Sequence, residues 1–272
     1  MTVKDRKLTQ VQLDLLMLLY KFRFGTSSLL AVSSGKKDDK FISPRLKLLL
    51  SNCYIGRNYD KSYIKLAKPA SFYLLPKALR ALREITYPEG LDDQAIKSSY
   101  KDKTASKQFI ERSLNLYAIY NMLTGLHKGL QMFLKRELAD NEYSYFPNPL
   151  PDAFLLLNKQ ESTCYFFADY FEVGTQPLPL DYRLRKYVTY HENNEWAVTG
   201  LPFPTVLCIA EDARTERLVQ RQANRVLSRS DTDITISTTT LKELLASQDA
   251  SDPLWSDVKE PEHARSLVSL AD

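Results

Sequence analysis

A chain of 272 residues, 44% apolar and 26% charged, is long enough for two ordinary domains with cores of their own, and that composition excludes a disordered protein. The net charge of +4 is mild, so function depends on where charge collects and not on its sum. No segment approaches the roughly 18 uninterrupted apolar residues of a membrane span, and the start MTVKDRKLTQ lacks the apolar core of a signal peptide, which sets the expectation of a cytoplasmic protein with no membrane partner. Cys53, Cys164 and Cys208 are odd in number and widely spaced, and they read as reduced core thiols more readily than as disulfides or zinc ligands.

The chain opens on a well-marked helix. Thr9 and Gln12 make a capping box and Leu8 and Leu13 a hydrophobic staple, so the helix is expected to begin at Gln10 with Val11, Leu15, Leu18, Leu19 and Phe22 on its apolar face. Gly25 ends it, and Thr26 caps a shorter helix through Leu29, Leu30 and Ala31. Ser43 and Pro44 stand as N-cap and first residue of a third helix, with Leu46, Leu49 and Leu50 inward and Arg45 and Lys47 outward. Short strands are expected at 54–59, 63–66 and 71–75, with residues 60–62 as the first turn, before Pro76 starts a helix ending near Ile85. Three helices followed by a hairpin make a winged helix-turn-helix, in which the third helix enters the major groove of double-stranded DNA and the hairpin touches the backbone.

Charge collects on this segment. Between Lys36 and Lys68 nine basic residues face three acidic ones, an excess of six. Lys36, Lys37, Lys40, Arg45, Lys47, Arg57, Lys61 and Lys65 are the candidate DNA contacts, each phosphate contact adding about −0.9 to the salt slope of binding. The alternative for the same residues is the solvated face of a protein-binding winged helix.

Residues 87–104 lose apolar periodicity and read as a linker. Helical spacing resumes from Ala105 through Phe109, Leu116 and Leu123, residues 130–138 read as a strand with a charged edge, and 141–149 as an aromatic loop. Residues 150–190 hold the candidate chemistry. Asp152 opens one strand at 154–157, a second runs over 163–173, Pro177 and Pro179 break the pattern, and 181–190 is a helix carrying Lys186 and Tyr190 four residues apart on one face. An apolar strand centred in 202–210, a helix at 212–227 with Leu218, Ala223 and Val226 set among arginines, a strand at 234–237 and a helix at 239–246 follow; the tail beyond is acidic, polar and loosely packed. Alternating strands and helices imply an α/β layer with a mixed sheet. The expected domains are 1–86, a linker at 87–104, 105–250, and a tail at 251–272.

The order of these features resembles the replication-relaxation proteins of plasmids and integrative elements, a group that includes the MobC-type mobilisation relaxases. The residues that carry it are LKREL, PDAF, FFADYFEVGT, KYVTY, FPTVLCIA with an arginine-bearing helix after it, and ITISTTTLKELL. The resemblance implies a C-terminal three-layer domain like restriction endonucleases of the PD-(D/E)xK type, and work on DNA at an origin of transfer or replication with other relaxosome proteins as partners and a homodimer as one assembly. Family members resemble E-x-D-x-G-T on the second strand. Aligning on Gly174 and Thr175 puts Glu172 at the second acidic position and Tyr170 at the first, with Asp169 one residue off and on the opposite face unless a bulge returns it.

Phosphodiester hydrolysis needs a hard cation held by carboxylates and a second cation near the scissile phosphate. Asp152, Asp169 and Glu172 are the candidate ligands for Mg²⁺ or Mn²⁺, and Asp152, Glu172, Lys186 and Tyr190 the candidate catalytic groups. A tyrosine relaxase is disfavoured, because His127, His191 and His263 are too scattered to form its histidine metal cluster. Three readings follow: a DNA-binding accessory with a degenerate nuclease-like domain, a metal-dependent nickase, and a winged-helix transcription regulator.

Overall fold

Helix α1 (Gln10–Phe22) starts where its capping box puts it: the Gln12 amide donates to Thr9 Oγ1 at 3.4 Å and the Thr9 amide to Gln12 Oε1 at 2.9 Å. The computed structural model describes residues 8–59, 68–85, 93–139, 145–159 and 162–271, which divide into two units, 1–121 and 122–272. Leu13, Leu15, Leu16, Leu19 and Phe22 turn the apolar face of α1 inward. The helix stops because Arg23 takes φ 66°, and the chain then enters a strand, β1 (Phe24–Thr26), where a plain turn between helices is expected. The partner of β1 is β3 (Ser71–Leu74), so no local pattern announces the strand. Gly25 fits closely there, since a Cβ would stand 3.2 Å from both the Leu19 and Tyr117 side chains and would make them give way.

Helices α2 (Ser27–Ser33) and α3 (Ser43–Ser51), strand β2 (Ile55–Asn58), β3 and helix α4 (Pro76–Ile85) complete an antiparallel sheet of order β1-β3-β2 packed with its helices, the arrangement of a winged helix-turn-helix. Helix α3 begins one residue earlier than expected, with Ile42 as N-cap and Pro44 in the first turn, where its missing N–H is no loss. The expected strand at 63–66, its turn at 60–62, and Lys61 and Lys65 lie outside the described residues.

The linker expected at 87–104 is corrected in part, because α5 (Asp93–Asp102) forms within it and the buried Asp102 accepts from Arg23 Nε at 3.1 Å. The start of α6 (Lys107–Leu126) belongs to the first unit as well. Tyr117 stacks on Phe22 with centroids 3.8 Å and planes 4° apart, and Asn121 Nδ2 donates to the Leu29 carbonyl at 3.0 Å.

The second unit is built on a seven-stranded sheet of order β10-β9-β8-β7-β6-β5-β4. Its elements in chain order are β4 (Leu130–Leu134), α7 (Lys135–Leu138), β5 (Ala153–Asn158), β6 (Thr163–Phe171), α8 (Pro177–Glu192), β7 (Thr205–Ala210), α9 (Ala213–Leu227), β8 (Ile236–Thr240), α10 (Leu241–Ala246), β9 (Trp255–Asp257) and β10 (Ala264–Arg265). Strands β6, β7 and β8 run parallel and the remaining pairs antiparallel, so the unit is an α/β domain with a mixed sheet. From one face Phe167, Phe171, Val206, Cys208 and Ile236 pack with Leu184 and Tyr187 of α8 and Val219, Ala223 and Val226 of α9. Phe166, Tyr170, Leu207 and Ile209 on the other face are buried too, which is why the central strands read as apolar runs.

Three expectations change. Helix α8 begins at Pro177, because prolines in a first turn lack only N–H groups that have no helical acceptor. Residues 130–138 are a strand followed by one helical turn. The tail is not loose: β9 and β10 extend the sheet, and Trp255, Val258 and Leu267 are buried. Cys164 and Cys208 are buried as expected, whereas Cys53 is exposed at φ 56°. No helix among the described residues is long and apolar enough to cross a membrane.

Candidate functional site

Antiparallel pairing of β5 with β6 sets Ala153 against Ala168, so Asp152, just before β5, stands across from Asp169. The two aspartates meet through the backbone. The Asp152 amide donates to Asp169 Oδ1 at 3.1 Å, and the Tyr170 amide donates to Asp152 Oδ2 at 2.9 Å. Strand β6 is regular here, with residues 166–171 paired one for one against 205–210, so no bulge turns Asp169 toward Glu172. Asp169 instead faces α8 alongside Phe167 and Phe171, only 4% exposed.

A carboxylate at that depth needs a cation, and Arg183 of α8 supplies it. Its Nε donates to Asp169 Oδ2 at 2.6 Å and its Nη2 to Asp169 Oδ1 at 2.8 Å, a two-pronged guanidinium–carboxylate pair. The Tyr187 hydroxyl, one turn further along α8, donates to Asp169 Oδ2 at 2.9 Å and accepts from Arg183 Nη2 at 2.8 Å. Arg183 Nη1 also donates to the Pro149 carbonyl. Each carboxylate oxygen of Asp169 therefore accepts two hydrogen bonds, which exhausts its lone-pair directions.

The electrostatics follow from that closure. Burial by itself disfavours the Arg183 charge, but Asp169 and its hydrogen bonds outweigh it and hold the guanidinium above its ordinary value. Burial, then the Asp169 charge, push the Tyr187 phenol well up, and the same two causes in the same order push up the Cys208 thiol opposite Asp169 on β7. Tyr187 thus stays a neutral donor and Cys208 a protonated thiol with no nucleophilic character at neutral pH.

Part-way along this clamp the other expected residues diverge. Glu172 lies past the end of β6, where its carbonyl accepts from the Thr175 amide at 3.1 Å and from Thr175 Oγ1 at 2.6 Å, closing a turn in which Gly174 takes φ 85°. The Gly174–Thr175 pair thus serves the turn into α8. The Lys186 ammonium sits 5.2 Å from the Tyr182 ring centroid. Tyr190 is buried, packs edge-on to Phe167, and donates to the Tyr145 carbonyl at 2.5 Å; burial first, then the Glu195 charge, raise its phenol.

No family model matches the chain, and no curated protein matches it. Among solved structures it aligns with restriction endonuclease FokI at a TM-score of 0.32 and 11% identity, over 90% of this chain and 45% of that one. Restriction endonuclease FokI bound to DNA aligns at 0.33 and 10%, with the same coverage, so the chain spans under half the length of the structures it matches.

A divalent cation does not fit this arrangement. Among the described residues no group of three or more His, Cys, Asp or Glu side chains is placed to hold one. Of the expected ligands, Asp152 and Asp169 are adjacent, but Asp169 is spent on Arg183 and Tyr187, and Glu172 lies past the end of β6 in the turn closed by Thr175. Arg183 is the residue that the sequence reading passes over. Its signal is present: an aspartate in the middle of an apolar strand demands a buried cation, and Arg183 lies next to Leu184 and four residues before Tyr187 on the inward face of α8.

Proposed function

We propose that the chain is a DNA-binding protein of plasmid or mobile-element replication and mobilisation, a cytoplasmic accessory of the relaxosome type. Its winged helix-turn-helix reads double-stranded DNA, and its mixed-sheet unit is a nuclease-like platform whose acidic site is closed by an arginine. The place in mobilisation is carried by the motif resemblance; binding to DNA is carried by one structural observation, the cations of the first unit.

Lys36, Lys37, Lys40, Lys47 and Arg57 are exposed, and none of them is in an ion pair among the described residues. The acids between them are occupied otherwise, Asp38 by the Lys40 amide at 3.0 Å and Asp39 by the Ser27 hydroxyl at 2.6 Å. Arg45 is half-buried and lies 3.5 Å from the exposed Phe41 ring, which Lys36 approaches at 4.9 Å from centroid. Unneutralised cations around the third helix and the start of the wing are the electrostatic footprint of a duplex-binding module.

The test is duplex binding by fluorescence anisotropy across a salt series. Replacing Lys40, Lys47 and Arg57 together by Gln is expected to lower the salt slope by about 2.7, at roughly 0.9 per lost phosphate contact. An unchanged slope would remove the winged helix from the interface. Supercoiled plasmid incubated with Mg²⁺ or Mn²⁺ should stay unnicked; nicking lost on Asp152→Ala would favour the nickase instead.

A further inference from the structure

The exposed face of α9 is a row of arginines. Arg214, Arg217, Arg221 and Arg225 recur at spacings of three, four and four, and all are exposed, while Val219, Ala223 and Val226 line the opposite, buried face. At about 1.5 Å of rise per residue the row extends roughly 16 Å, a length over which one DNA strand presents four to five phosphates at about 3.4 Å of axis each. Among the described residues the acids of this segment form no ion pair with it. Asp212 caps the helix by accepting from the Thr215 amide at 2.7 Å, and Glu216 turns to the sheet, accepting from Thr238 Oγ1 at 3.0 Å.

A neighbouring helix adds to the row and steadies it. The buried carboxylate of Asp181 on α8 takes Arg225 Nη2 on Oδ1 and Arg185 Nε on Oδ2, each at 2.7 Å. Arg185 and Arg225 remain 54% and 44% exposed, so one anchor holds two guanidinium groups with their other N–H donors facing solvent. Arginine in such a fixed fork matches phosphate oxygens two at a time, which a freely moving lysine does not.

We propose that this arginine row, Arg214, Arg217, Arg221 and Arg225 with Arg185 beside it, is a second DNA contact surface that takes the phosphate backbone of a duplex. The assignment rests on the DNA-binding reading above. It makes the mixed-sheet unit a backbone clamp that adds affinity without sequence preference, leaving base readout to the winged helix.

The experiment measures salt-dependent binding of the 272-residue chain to a labelled duplex in wild type, Arg217→Gln/Arg221→Gln, the winged-helix triple variant, and a control, Lys242→Gln/Lys259→Gln, that removes two exposed charges elsewhere. Loss of two contacts is expected to lower the slope by about 1.8 and to shrink the affinity lost between about 50 and 200 mM salt roughly tenfold, with the control unchanged. Should wild type fail to bind any duplex, the DNA reading itself falls. If wild type binds and the triple variant weakens it, but Arg217→Gln/Arg221→Gln behaves like the control, only this inference is overturned and the row belongs to an acidic protein partner. Unchanged circular dichroism confirms that the exposed substitutions leave the fold intact.

Discussion

Replacing Arg183 by Met tests the carboxylate clamp most directly. The substitution keeps an unbranched apolar stem but removes both charge-assisted hydrogen bonds to Asp169, each contributing about 1.5–3 kcal/mol, and it leaves an aspartate 4% exposed with no cation. Removing one partner of a buried pair costs about 3–5 kcal/mol, because the stranded charge stays desolvated. For a domain of this size a loss of 1 kcal/mol lowers the melting temperature by about 2–4 °C, so the variant should melt roughly 6–20 °C below wild type in differential scanning calorimetry. Arg183→Lys keeps a charge but loses the fork and should fall between the two. Asp169→Leu/Arg183→Met removes both charges and should recover most of the loss, the signature of a coupled pair in a double-mutant cycle.

An Arg183→Met protein within about 1 kcal/mol of wild type, or a double variant no better than the single, would refute the clamp.

Two further outcomes are expected. His127 is buried and its imidazole is held below its ordinary value by that burial, so protons bind the unfolded chain first and stability is lost as pH falls below about 6.5; denaturant midpoints at pH 7.5 and 5.5 should lie closer together in His127→Leu than in wild type, and an equal gap would discard the assignment. Because Arg183 already neutralises Asp169, Mg²⁺ and EDTA should leave the melting temperature unchanged, whereas a resident site at 100 times its dissociation constant would add about 2.7 kcal/mol.

The elements read from sequence are those whose signal is local. The capping box at Thr9 and Gln12, the apolar spacing of α1 and the β-rich runs of β5, β6 and β7 each place an element to within a few residues. What fails depends on distant partners. Strand β1 exists because of β3, and α5 holds through Arg23 and Asp102, which no window of sequence joins. The same division runs through the site. Alternation along β6 sets Asp169 and Tyr170 on opposite faces, whereas helical spacing singles out Lys186 and Tyr190, and the side chains that meet Asp169 are Arg183 and Tyr187. The two pairs differ by three residues, less than one helical turn, and which of them meets Asp169 is set by how α8 packs on the sheet, which no window of sequence contains.

The clamp also explains how an aspartate is kept in the middle of an apolar strand. A carboxylate left buried, charged and unpaired is what a marginally stable fold does not tolerate. Arg183 fills that need permanently, with a charge carried on the chain and oriented by Tyr187 and the Pro149 carbonyl. The aspartate pair then becomes part of the framework, tying β5, β6 and α8 together at one end of the sheet. Such a framework holds α8 and, through Asp181, the arginines of α8 and α9 in fixed positions. In this arrangement two buried carboxylates fix guanidinium groups in place, Asp169 inside the mixed-sheet unit and Asp181 at the outer faces of α8 and α9.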